Sequence, residues 1–169
     1  MWSRSLGFPA LAVALVLGCG AGPASAACTD VAGPKVDWRR CSFDAGDFAK
    51  QNLSGAVLRD ASFVFADLSG ADLSGADAYD AKFDSANLTG ARLDNAALNE
   101  ADFTRANLTG ASLAHADLRR THFFRAILRG ADFTGAQLGA ADLLNADLTG
   151  ALWIDGQRRC GAGSIGQCN

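Results

Sequence analysis

Cysteine and histidine are the side chains of this sequence best suited to covalent or metal chemistry. Cys19, Cys28, Cys41, Cys160 and Cys168 are its five cysteines, and His115 and His122 its two histidines. Thiols pair in an oxidising compartment and ligate zinc or act as nucleophiles in a reducing one. Apart from Cys19 they form two groups at opposite ends of the chain, so a zinc site, which needs all four thiolates to converge, is disfavoured. Four cysteines allow three pairings. Cys28 with Cys41 and Cys160 with Cys168 is the pairing to expect, because about 120 residues of regular repeat separate the groups. The histidines have no set of paired ligands around them in sequence. No metal or cofactor is expected.

Export is consistent with this cysteine usage. Arg4 precedes an apolar run of twelve residues, Leu6 to Leu17, and a small-residue pattern ends at Ala24-Ser25-Ala26. That order is the layout of a signal peptide over residues 1–26, cut near Ala26 or Ala27, and the run is too short to span a bilayer. A rival reading takes Val16 to Cys19 as a lipobox, with Cys19 lipidated and membrane-anchored. Both readings put the protein outside the cytoplasm, periplasmic or secreted. Without Arg4 the chain from Ala27 carries 14 basic and 18 acidic side chains, a net of −4. That balance excludes a general nucleic-acid binder, so no nucleic acid is expected as a partner.

The elements that position these residues follow from a period of five. Starting at Trp38 and ending at Trp153, every fifth residue is apolar: twenty-four consecutive centres without an insertion. Alanine stands two residues before nineteen of them. On a helix, steps of five would carry the centres around every face and leave no buried stripe. On a straight strand an odd period would send successive centres to opposite faces. Each pentad must therefore hold three extended residues and a two-residue corner that restores the inward direction. Glycine occupies the second corner position at eight sites, Gly55 to Gly150, where positive φ suits it. Phe43, Phe63, Phe83, Phe103 and Phe123 recur every twenty residues, so four pentads make one coil. About six coils, about 4.8 Å apart, should stack into an all-β solenoid.

The units "ADLSG", "ANLTG" and "ADFTG" resemble the pentapeptide-repeat family. The resemblance implies a right-handed quadrilateral β-helix over residues 36–155. The cysteines at either end of the repeat suggest an N-terminal cap segment at 27–35 and a C-terminal cap at 156–169. The ending "LWIDGQRRCGAGSIGQC" is similar to the tail of exported members, which supports Cys160–Cys168 as a staple. Family membership implies no activity. Some members mimic duplex DNA and protect topoisomerases through a strongly acidic rod; the export signal and modest charge depart from that pattern. A nine-residue calcium repeat is excluded by the period of five. With no cleft for converging catalytic groups, the chain is expected to be a non-enzymatic scaffold or binding module. Its partner would be an envelope protein or an anionic ligand, and the chain itself a monomer or weak homodimer, held at a membrane only if Cys19 is lipidated.

Two outward residue sets emerge when columns are read twenty apart. Arg119, Arg120, His122, Arg125 and Arg129 should surround an outward Phe124, with Arg105 one coil away. Such a patch suits an anionic partner. Asp60, Asp80 and Glu100 should form an acidic ladder continued by Arg120, which can relieve only Glu100; Asp60 and Asp80 are a candidate for a weakly held divalent cation or a basic partner. Both sets have the ordinary alternative of a solvated surface.

Overall fold

The computed structural model describes residues 28–169. The expected signal segment, its cleavage site and Cys19 lie outside the described residues. Parallel β-bridges join each residue to the one twenty positions on, from Asp37 to Val57 through Asp132 to Leu152. Each pentad contributes one bridge residue and a two-residue turn, so the solenoid is built from isolated bridges and corners with no longer strand. Four bridge columns define four faces: face 1 through Asp37, face 2 through Ser42, face 3 through Asp47 and face 4 through Asn52.

Backbone hydrogen bonds show why five residues suffice. In the pentad 66–70, the Leu68 N–H donates to Asn87 O at 2.7 Å and the Gly70 N–H to Thr89 O at 2.9 Å, both one coil ahead. The Asp67 N–H reaches back to Gly46 O at 2.9 Å, and the Ala66 N–H closes the preceding corner on Phe63 O at 3.0 Å. Only the first corner N–H lacks a backbone partner, and the Asp67 side chain accepts it from Ser69 at 2.9 Å. Asp or Asn at the bridge position repeats this bond at Asn52, Asp72, Asn87, Asp102, Asn107, Asp132, Asp142 and Asp147. The acidic residue of "ADLSG" therefore completes the hydrogen bonding of its own corner.

Positive φ belongs to the second corner position whatever residue fills it. Sixteen non-glycine residues adopt it, among them Arg120 and Arg125, alongside the eight corner glycines. Glycine removes the strain there, but register and bridging impose the geometry on other residues too.

Inside, the alanines and centres from Leu53 to Leu118 are fully buried. Phe63, Phe83, Phe103 and Phe123 stack with centroids 4.8 to 5.4 Å apart and planes within 10°. Coil spacing matches aromatic stacking, so one ring per coil fills this corner of the core without a void. Ala78 is equally buried between Leu58 and Leu98 in its column. Thr121 stands at an alanine position and satisfies its hydroxyl on Leu98 O at 2.9 Å.

The two ends close differently. Cys28 is bonded to Cys41, which occupies a buried alanine slot, and Trp38 beneath the cap is only 1% exposed. Cys160 is bonded to Cys168. The C-terminal segment turns back in antiparallel bridges, Ile165 on Asp147 and Arg159 on Leu152. It covers faces 3 and 4 alone. Leu138, Ala141 and Leu143 on the other two faces stay partly exposed, and Trp153 is half-buried. The antiparallel course of the segment reaches half of the last layer.

Candidate recognition surface

The expected basic patch spans three corners and two faces. Arg119 and Arg120 lie at the corner between faces 1 and 2, His122 on face 2, Phe124 and Arg125 at the next corner, and Arg129 at the corner after that. Their guanidinium groups are mostly committed. Arg119 holds Asp117 through two bonds of 2.8 and 2.7 Å, and Arg120 lies 2.7 Å from Glu100. Arg129 lies 2.6 Å from Asp147, and Arg105 lies 2.6 Å from Asp84. Among the described residues, Arg125 is the one of the five arginines from Arg105 to Arg129 that lacks a carboxylate within 4 Å, and His122 lacks one too. Arg125 covers the Phe124 ring instead, 5.0 Å from the centroid. Phe124 itself is half-buried, and His122 is exposed between Asp102 and Asp142 in the face 2 ladder. Long arginine side chains reach carboxylates two, eighteen, twenty or twenty-one positions away, so most of the patch is ion-paired.

The acidic ladder is also partnered. Arg40 approaches Asp60 at 3.7 Å, and Glu100 receives both Arg120 and the Tyr79 hydroxyl, the latter at 2.8 Å. By accepting that hydrogen bond, the Glu100 carboxylate holds the phenol above its usual range. Arg59 stacks over Tyr79 at 4.7 Å while pairing with Asp77 at 3.1 Å. Arg120 thus relieves Glu100, and Arg40 lies near Asp60 at the other end of the ladder. Among the described residues no group of three or more His, Cys, Asp or Glu side chains could hold a metal ion. Beside this corner, Asn99, Arg119, Arg120, Gly139 and Ala140 line a shallow depression of about 290 Å³.

Several bridge carboxylates are held below their usual range near 3.8. The first cause at Asp67 is the Ser69 N–H, and at Asp117 it is the Arg119 side chain. Their folded pKa lies below the unfolded one, so the stabilisation is present above about pH 4 and is lost as pH falls through the folded values. The thermal midpoint is expected to be flat from about pH 7 to pH 5 and to fall below about pH 4. Asp67→Asn, which keeps the acceptor for Ser69, should leave the neutral-pH midpoint in place. Asp67→Ala should lower stability by up to about 1 kcal/mol. Calorimetry of the three proteins across pH checks both statements; equal midpoints for the Ala and Asn variants at pH 7 would contradict the role given to Asp67.

Sequence reasoning missed two surface features. Phe65 is 67% exposed at a second corner position, and Leu144 is 60% exposed at a first corner position. Both sit on the corner between faces 2 and 3, in the columns of Arg125 and Phe124. Their signal was present: each is a large apolar residue outside the inward positions of its pentad.

Four bridged faces, turns every five residues and an interior of alanine, leucine and phenylalanine define a β-solenoid whose polar chemistry lies outside. The repeat family described as Pentapeptide repeats matches eight copies, over residues 39–77, 51–90, 86–123 and 116–152. This chain belongs to the pentapeptide-repeat family. It is similar to HetL of the cyanobacterium Nostoc sp. strain PCC 7120, a pentapeptide repeat protein involved in heterocyst differentiation regulation. Identity is 34% over 73% of this chain and 64% of HetL, with a TM-score of 0.50. The chain thus spans less than two thirds of that protein's length. A pentapeptide repeat protein of the Arabidopsis thaliana thylakoid lumen is 29% identical over 78% of this chain and 75% of its own, TM-score 0.27. QnrB1, a plasmid-mediated fluoroquinolone resistance protein, is 23% identical over 71% of this chain and 69% of its own, TM-score 0.46. A search of curated proteins found no match.

Proposed function

We propose that this chain is an exported, non-enzymatic scaffold: a right-handed four-sided solenoid of about six coils that offers its outer faces and corners to a partner. The observation that carries the reading is the division of side chains. Inward positions are filled by small and apolar groups down to 0–2% exposure over most of the length. The outward charged groups are largely occupied with one another, which suits a rigid surface more than a reacting centre. Both disulfides support an oxidising destination. Arginines recur among the outward carboxylates of face 1 and of the corner between faces 1 and 2. That interleaving is unlike a continuous duplex-like acidic rod and weighs against topoisomerase protection.

Expression of the full chain in an exporting host, with fractionation and intact mass measurement, tests the reading. The expected product is non-cytoplasmic with its N-terminus at Ala27 or Cys28. An acylated Cys19 selects the lipoprotein form of the same scaffold. Retention in the cytoplasm, or turnover of a substrate abolished by a point substitution, overturns it.

A further inference from the structure

The corner between faces 2 and 3 carries four large apolar side chains at turn positions, Val64, Phe65, Phe124 and Leu144, where the corner after face 4 has Ile154 alone. In coil order its residues are Asp44-Ala45, Val64-Phe65, Asp84-Ser85, Thr104-Arg105, Phe124-Arg125 and Leu144-Asn145. Phe65 is the clearest anomaly. It holds φ at 60°, a conformation that bulky residues rarely adopt, and leaves 67% of itself in water. Neither the core nor the turn gains from a phenylalanine there, so the fold does not explain it. Three coils further on, Arg125 is the arginine of this edge without a carboxylate, lying over Phe124 at 5.0 Å, with Leu144 exposed one coil beyond.

Charge along the edge is polarised. Both carboxylates, Asp44 and Asp84, fall in its first three coils, and both cations, Arg105 and Arg125, in its last three. An anionic surface laid along the whole edge would meet Asp44 and Asp84 as well as the arginines. A second copy of this chain, turned end for end, meets the opposite polarity at each level. A two-fold axis between the third and fourth coils sets Asp84 opposite Arg105, Phe65 opposite Phe124 and Arg125, and Ala45 opposite Leu144. Arg105 already pairs with Asp84 within one chain at 2.6 Å, so the symmetric arrangement joins two such pairs into a closed four-charge cluster. Phe65 of each copy gains the Arg125 guanidinium and the Phe124 ring of the other.

We infer that this edge is an isologous, antiparallel self-association surface centred on Phe65 and Arg125. The inference rests on the scaffold reading only in treating the outer surface as a recognition surface. A convex corner buries little area, so the dimer is weak and concentration-dependent.

Symmetry supplies the test. Every contact occurs twice, so one substitution removes both copies of the Phe65–Arg125 contact from a homodimer. Phe65→Ser and Arg125→Asp are each expected to weaken self-association about tenfold or more in sedimentation equilibrium. An equimolar mixture of the two variants recovers one intact contact in the heterodimer, and should associate more tightly than either variant alone. The full chain is used throughout, with residues 1–27 common to parent and variants, and matching thermal midpoints establish that both variants fold. Three results overturn the inference: a parent that stays monomeric at millimolar concentration, variants that associate like the parent, or a mixture no tighter than its components. Arg125-dependent binding to anionic vesicles by a monomeric parent does so too, by assigning the edge to a lipid surface. Export and fractionation are untouched by any of these outcomes, so failure here is distinguishable from failure of the scaffold reading.

Discussion

Phe103→Ala is expected to destabilise the protein by about 3–5 kcal/mol, the largest effect of any single side-chain truncation in this fold. Phe103 is fully buried in the middle of the ring stack, 4.8 Å from Phe83 and 5.3 Å from Phe123. Removing its ring takes away two stacking contacts and leaves a hole that bridges on either side prevent from closing. Repeats in a solenoid support only their neighbours, so the loss also divides the ordered column in two. Denaturant unfolding with Ile127→Ala, an outward residue 40% exposed, as the control should separate the two effects. Similar losses for both variants would contradict the assignment of inward and outward positions.

Deleting the N-terminal staple is the second large effect. Cys41 occupies a buried alanine slot, so Cys41→Ala combined with Cys28→Ala removes the cross-link while suiting the packing of that position. The bond spans a sequence separation of 13, for which lost loop-closure entropy corresponds to about 3 kcal/mol. Below it lie Trp38 with Phe43 at 4.3 Å and Phe48 at 5.6 Å, an aromatic layer that the stapled segment helps to cover. The double variant should unfold about 3 kcal/mol more easily in the oxidised protein, with amides of residues 36–55 exchanging ahead of the central coils. Uniform exchange, or unchanged stability, would show that the cap does not hold this end.

The interior was legible because nothing interrupts the period. Twenty-four apolar centres fix which residues point inward, and the phenylalanine recurrence reveals the twenty-residue coil that the bridges from Asp37 to Val57 onward display. Less was legible outside. A column reading puts Arg120 beside Glu100, where the structure has it, but assumes that side chains point straight out. Arg105 instead reaches Asp84, twenty-one positions back, and Arg119 folds onto Asp117, two positions back. Arginine length and rotamer freedom, which a position in a ladder does not encode, decide those pairs. Asp67 and its equivalents could have been read: a side-chain acceptor two residues before a corner is the ordinary way to satisfy its first N–H. The course of the C-terminal segment could not, since residues 156–169 carry no pentad pattern from which a face could be assigned.

Peptide mapping of the oxidised, unreduced protein tests most directly whether the chain is a solenoid with stapled ends held apart. The account predicts two cross-linked peptide pairs, Cys28 with Cys41 and Cys160 with Cys168, and no others among these four residues. A Cys28 or Cys41 peptide linked to Cys160 or Cys168 within one monomeric chain would bring the ends together and contradict the fold on which every surface assignment rests.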